Sequence, residues 1–324
     1  MSPDSKSSPI DAIRSANSPT VSVAMCTYNG ARFLGEQLQS IQNQSRLPDQ
    51  LFVCDDGSTD STQAILKEFA RAAPFRVILK FNTQTLGVTR NFEQALSACL
   101  GDFIALCDQD DRWHPSKLER LAELLKAHPQ AGFACSNAAL INHRGERLRG
   151  RLWDRWRINP SMLADESPGD RGLHLLRANC VTGATMMVRG ALVRTYALPI
   201  PPSWVHDHWI TVLCEILMCP GCTSAELLTE YRQHDCQVLG LKYGGKLRHA
   251  SIAEREKLKS ACLQRYQDLK FHLECGTVRE ILSAAVWIDL IHVATKELLE
   301  HHRVLSLPRW QRVNRLLSRI RRTA

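Results

Sequence analysis

With 324 residues, 44% of them hydrophobic and 23% charged, the chain has enough apolar material for one large core or two modest ones and the composition of a globular protein. Its 12 cysteines are scattered and no apolar signal-like run opens the chain, which argues against a secreted disulfide framework and for a reducing cytoplasm. The net charge of +8 is local: without Arg303, Arg309, Arg312, Arg315, Arg319, Arg321 and Arg322, 34 cations face 33 acids, so nucleic acid is not an expected partner and one anionic contact at the C-terminal end is.

Residues 1–19 are rich in Ser, Pro, Asp and Asn and read as a disordered leader. From Thr20 short apolar runs alternate with segments of helical period. The runs are Val21 to Cys26, Leu51 to Cys54, Phe75 to Leu79, Phe103 to Cys107 and Gly132 to Cys135. Between them lie the apolar faces Leu34, Leu38 and Ile41; Ile65 and Phe69; Phe92, Leu96 and Cys99; and, after Pro115, Leu118, Leu121 and Leu125. Alternation of this kind predicts a Rossmann-like α/β domain, a mostly parallel sheet with helices on both faces, whose ligands bind beyond the carboxyl ends of the strands. The apolar stretch from Ile281 to Ala294, broken by Asp289 and His292, is too short to cross a bilayer and reads as a packed helix running on to Leu299.

Three strand ends therefore carry the candidate chemistry: Thr27-Tyr28-Asn29-Gly30, Asp55-Asp56-Gly57-Ser58 and Asp108-Gln109-Asp110-Asp111. No G-x-G-x-x-G follows the first strand and no Walker loop occurs, so dinucleotide and ATP sites lose their main support. Carboxylates crowded at a strand end repel one another unless a cation sits among them, which favours Mg²⁺ or Mn²⁺ over a solvated acidic helix cap. An EF-hand is excluded, because its fifth position would be Arg112 and no glycine follows. A fixed carboxylate at Asp55 or Asp56 has the chemistry to accept the ring N–H of uracil or thymine, against the plainer reading of Asp55 to Asp60 as a turn and helix cap.

These clusters, in this order, resemble the nucleotide-binding half of the family 2 glycosyltransferases, whose fold is called GT-A. Cys107-Asp108-Gln109-Asp110-Asp111-Arg112-Trp113 is similar to the rhamnosyltransferase-like branch. The resemblance runs from about Val21 to Gly240. It implies a domain over 20–240, with a nucleotide-binding half at about 20–135 and an acceptor half at about 136–240, followed by a helical C-terminal extension over 241–324. It also implies that Thr27, Tyr28 and Asn29 border the base, Asp56 pairs with the pyrimidine, and Asp110 and Asp111 contact ribose and metal. Thr182-Gly183-Ala184-Thr185 looks like the strand beneath the acceptor, with Gly183 near phosphate or acceptor. Tyr231-Arg232-Gln233-His234 looks like a late loop over the donor, with Arg232 toward phosphate and His234 toward metal. In His206-Asp207-His208-Trp209, Asp207 resembles the general base. A carboxylate set among histidines and aromatics at a helix start suits that task, although helix capping alone would also explain it.

The implied activity is inverting transfer of a sugar from a UDP- or TDP-sugar to a hydroxyl of a cell-envelope saccharide or lipid-linked oligosaccharide. The alternative is a catalytically silent nucleotide-sugar-binding protein. TDP-rhamnose follows from the branch, but Asp235, Cys236 and Gln237 stand where its members tend to have Gly and Asn, which leaves UDP-sugars open. Cys219-Pro220-Gly221-Cys222 has redox or zinc spacing without a second pair and reads as a helix-ending turn. Near the end, Trp310, Val313, Leu317 and Ile320 share one helical face opposite Arg312, Arg315, Arg319 and Arg322. Such a helix either lies on the anionic inner surface of the membrane or packs on its own domain.

Overall fold

A computed structural model describes residues 18–155, 159–163, 171, 174–175, 179–235, 237, 264–265, 267–269 and 271–272. The leader and the two C-terminal helices expected over 281–299 and 310–322 lie outside the described residues.

The first half alternates as its periodicity requires: β1 (Val21–Thr27), α1 (Ala31–Gln42), β2 (Gln50–Asp55), α2 (Thr62–Ala72), β3 (Arg76–Phe81), α3 (Val88–Ala98) and β4 (Phe103–Cys107). After it come β5 (Arg112–Trp113), α4 (Lys117–Ala127), β6 (Phe133–Asn142) and β7 (Arg147–Arg151). The second half continues through β8 (Met186–Arg189), α5 (His206–Ile216) and β9 (Cys222–Gln233). Among the described residues, the nine strands join one sheet in the order β3-β2-β1-β4-β8-β6-β9-β5, with β7 on β6. The pairs among β3, β2, β1 and β4 are parallel. Beyond β4 the sheet is mixed: β8 runs antiparallel to both β4 and β6, while β9 returns parallel to β6.

Side chains alternate across the pleat and so build two cores. Val21, Val23 and Met25 pack with Leu34, Leu38 and Ile41 of α1 and Leu118, Leu121 and Leu125 of α4. Ala24 and Cys54 face the opposite way, toward Phe92 and Leu96 of α3 and Trp209 and Leu213 of α5. Burying each such Leu or Ile contributes about 1.5–3 kcal/mol, which makes these faces the main reason the helices dock.

Register places the chemistry. Thr27 pairs with Asp55, Asp55 with Phe81, and Met25 with Cys107, so the three polar strand ends share the carboxyl edge of the sheet. In the second half two expectations change. Gly183–Thr185 is a 3₁₀ turn rather than a strand, and β8 begins only at Met186. Tyr231, Arg232 and Gln233 end strand β9, and only His234 lies past it.

The described residues of 264–272 are helical. Leu269 is buried in the α5 core, Trp204 Nε1 donates to the Arg265 carbonyl at 3.2 Å, and the His272 ring meets the edge of Trp209 at 4.8 Å. Met218, in the left-handed region at φ 55°, ends α5 ahead of the Cys219-Pro220-Gly221 turn that leads into β9.

Candidate active site

The ends of β1 and β2 are sewn together before any ligand is considered. Asp55 is fully buried and accepts bonds from Thr27 Oγ1 at 2.9 Å, Ser58 N at 3.0 Å and Gln63 Nε2 at 3.0 Å. It is the anchor of the turn in which Gly57 takes φ 79°. Asn29, itself at φ 48°, donates its N–H to Ser58 Oγ and accepts the Thr59 N–H through Oδ1, both within 2.9 Å. Thr27 and Asn29 thus shape the rim through protein partners. The Gln109 amide clasps the Tyr28 peptide, accepting its N–H at 2.8 Å and donating to its carbonyl at 3.0 Å. A Cβ at Gly30 would stand 2.1 Å from Gln109 Oε1, so only glycine allows this approach. The Tyr28 side chain stays 46% exposed at the rim.

Asp56 is buried beside this loop. Its Oδ1 accepts Leu86 N at 2.8 Å and Asn82 Nδ2 at 3.0 Å, and its Oδ2 accepts Gly87 N at 2.8 Å. Two carboxylate oxygens offer about four lone-pair sites, so one acceptor site on Oδ2 is left by these partners.

The β4 end gathers negative charge. Asp111 is fully buried; its Oδ1 accepts the Arg232 N–H at 2.8 Å, while its Oδ2 is buried with no hydrogen-bond partner among the described residues. Burial, then the charges of Asp110 and Asp108, hold the Asp111 carboxyl well above the usual range. Burial together with Asp110 and Asp207 pushes Asp108 up to about 7. His234 Nε2 meets Asp110 Oδ2 at 2.7 Å, and its ring packs on Phe33 at 4.8 Å. Arg232 does not face the open rim as a phosphate ligand would. It is fully buried, stacked over Phe33 at 4.6 Å, with Nε on the Asp110 carbonyl at 2.6 Å and Nη2 on Glu36 at 2.8 Å. Its work in this structure is to hold the acidic loop against β9.

Asp207 approaches from the other half, in the first turn of α5. Its Oδ1 accepts Asn179 Nδ2 at 2.9 Å and His208 N at 2.7 Å, and its Oδ2 accepts Gly183 N at 2.9 Å. Gly183 therefore serves the carboxylate through its backbone. His206 stacks on Phe92 at 3.7 Å, and His208 donates Nε2–H to the Leu175 carbonyl at 2.6 Å. The Tyr231 phenol is pushed up by burial and by the charges of Asp111, Asp108, Asp110 and Asp207.

Sequence reasoning gave Asp108 no role of its own and missed Asn179 and Lys117. No pattern marks a lysine at the start of an amphipathic helix as buried. Among the described residues no three His, Cys, Asp or Glu side chains form a ready metal-ligand group. The donor chemistry nevertheless suits a hard cation: crowded carboxylates, one imidazole, and an orphaned Asp111 oxygen.

A parallel nucleotide-binding-type half, joined through antiparallel β8 to a mixed second half with acids at the shared rim, defines a GT-A α/β protein. The chain belongs to glycosyl transferase family 2, whose model, "Glycosyl transferase family 2", matches residues 22–192. It is 32% identical over 198 residues to the Escherichia coli UDP-Glc:alpha-D-GlcNAc-diphosphoundecaprenol beta-1,3-glucosyltransferase WfgD, covering 60% of this chain and 69% of that protein. An uncharacterized Mycobacterium tuberculosis protein is 36% identical over 114 residues, 34% of this chain; the match spans only 32% of that relative's length. Among solved structures, S. aureus TarS 1–349 in complex with UDP-GlcNAc shares the fold, with a TM-score of 0.54 at 14% identity, over 87% of this chain and 92% of that one.

Proposed function

We propose that the chain is an inverting, metal-dependent glycosyltransferase moving a sugar from a UDP- or TDP-sugar to a hydroxyl of a cell-envelope saccharide or lipid-linked acceptor. The observation that carries this reading is a shared rim: β4, which ends in the acidic loop, pairs antiparallel with β8, and the turn leading into β8 bonds Asp207 of α5 through the Gly183 N–H. A donor bound at the strand ends and an acceptor above α5 then meet at one place.

In this reading the Oδ2 acceptor site of Asp56 takes the pyrimidine ring N–H, and the exposed Tyr28 ring covers the base. Asp110, Asp111 and His234 hold the divalent cation, which when bound neutralises the charge growing on the departing diphosphate. His234 Nε2 and Asp110 Oδ2 lie 2.7 Å apart, and both side chains would serve as ligands to such a cation. Asp207 is the general base. Asn179, His208 and Gly183 fix its plane, and the remaining lone pair of Oδ2 accepts the acceptor hydroxyl proton as that oxygen attacks the anomeric carbon. The bond to the diphosphate breaks in the same displacement, so configuration inverts.

The name of the Escherichia coli relative favours a UDP-hexose donor and a diphosphoundecaprenol-linked acceptor. The resemblance of residues 107–113 favours rhamnose. A cytoplasmic enzyme working at the inner membrane surface fits a lipid-linked acceptor.

Thermal-shift binding of UDP, TDP, GDP and ADP, with and without Mn²⁺, tests the site, followed by turnover with sugars of any nucleotide that binds. Stabilisation by UDP or TDP only with the metal is expected. No metal-dependent stabilisation by any nucleotide overturns the Asp110 and Asp111 assignment, and binding without turnover favours the silent binding protein.

A further inference from the structure

Lys117 is the first residue of α4 and has no exposed surface, an unusual setting for an ammonium group. Helical side chains lean back toward the N-terminus of their helix, so a lysine in the first turn reaches the loop that precedes it. Its Nζ donates to the Ala184 carbonyl and lies 3.8 Å from the centroid of the Trp113 ring. Burial pulls the Lys117 pKa down to about 7, against the opposing charges of Cys107, Asp111 and Asp108.

The Ala184 carbonyl links the two halves of the site. It also accepts Thr229 Oγ1 from β9 at 3.3 Å. The preceding residue, Gly183, is the one whose N–H meets Asp207 Oδ2. An apolar side chain at 117 would fill the same volume, yet it would remove a buried donor from this carbonyl.

We propose that Lys117 is a positioning residue for the transfer step: its Nζ, bonded to the Ala184 carbonyl, holds the Gly183–Thr185 turn so that the Gly183 N–H aims Asp207 at the acceptor. Lys117 thereby ties α4, the helix that follows the acidic β4 loop, to the turn beneath the base on the opposite half of the sheet. This role rests on the glycosyl-transfer reading for its kinetic consequence, but the mechanical link stands apart from it.

The full chain carrying Lys117→Met is compared with the wild type and Lys117→Arg in three measurements. Hydrogen exchange over residues 182–186 reads the link without any activity; amides there are expected to exchange about 10-fold faster in Lys117→Met, with α2 unchanged. Steady-state kinetics should show kcat lower by about 10- to 100-fold, with KM for the donor and calorimetric Kd for UDP with Mn²⁺ within about twofold, and Lys117→Arg should recover part of kcat. Thr229→Val, which removes only the second donor to Ala184, should move exchange and kcat in the same direction by less. If the Lys117 variants do not fold, Thr229→Val decides the matter by the same two readouts. Unchanged exchange over 182–186, or unchanged kcat in a folded variant, overturns the proposal. A wild type that neither binds UDP with Mn²⁺ nor turns over defeats the glycosyl-transfer reading instead, and leaves the exchange measurement to judge the link.

Discussion

Asp207 keeps one lone pair of Oδ2 unclaimed by the described residues, while Asn179, His208 and Gly183 hold the rest of its carboxylate in place. A general base needs both features, a fixed direction and a free acceptor site. Asp207→Asn preserves size but presents an amide NH₂ where a proton must be taken, so kcat should fall by about 10²- to 10⁴-fold. Because Asp207 shares no hydrogen-bond partner with Asp56 among the described residues, Kd for UDP with Mn²⁺ should stay within about twofold. Steady-state kinetics beside calorimetry decide it, and full activity in Asp207→Asn would remove the residue from this role. Asp56 and Asp55 show why adjacent carboxylates have to be separated by structure: Asp55 is fully used by the turn, whereas Asp56 keeps one acceptor site beside the exposed Tyr28.

Helix α5 brings its own pH dependence, because its first turn buries two histidines. Burial lowers the proton affinity of His206 and brings His208 down to about 4. In the unfolded chain histidine titrates near 6.5, so between pH 6.5 and 4 the unfolded state binds the extra proton and stability falls as pH falls. The slope is at most about 1.4 kcal/mol per pH unit for His208. Asp108 and Asp111, whose carboxyls are raised, add stability as pH falls through the same window, so the histidine contribution is read as a difference. From pH 7.5 through 6 to 5, urea unfolding should show wild type losing stability relative to His208→Gln, which keeps a donor for the Leu175 carbonyl. An equally steep profile in His208→Gln would place the acid sensitivity elsewhere. Elements also divide what was legible in the sequence. Helices α1, α3 and α4 announce themselves because each buries one periodic face, and strands β1, β2 and β4 because each is a short continuous apolar run buried on both faces; the carboxyl-end rule then sets three motifs on one rim. The second half is less readable. Whether β8 and β9 run parallel or antiparallel is decided by tertiary pairing, and Gly183–Thr185 takes a 3₁₀ turn that short apolar residues do not signal. Arg232, turned toward phosphate only by the family resemblance, is enclosed by Phe33, Glu36 and the Asp110 loop, a packing that no local pattern announces.

At the scale of the whole molecule, charge and chemistry are separated along the chain. The acids that define the site lie between Asp56 and Asp207, whereas the excess of cations is supplied by arginines from Arg303 onward. Such a tail can pack on its own domain, lie on an anionic membrane or contact nucleic acid, and the three differ in what truncation removes. Each cation near an anionic leaflet adds about 1 kcal/mol. Ending the chain at Leu307 deletes Arg309, Arg312, Arg315, Arg319, Arg321 and Arg322 and should abolish sedimentation with vesicles rich in anionic lipid, while UDP binding with Mn²⁺ is retained. If the tail instead served RNA or DNA, the full chain would bind either one with steep salt dependence and vesicles would compete poorly. Loss of nucleotide binding on truncation would contradict a site built from the β1, β2 and β4 ends, since every residue assigned to the donor lies at or before His234. The proposed lipid-linked acceptor makes the membrane outcome the expected one: an enzyme that decorates such a saccharide would gain from being held at the surface where it is anchored.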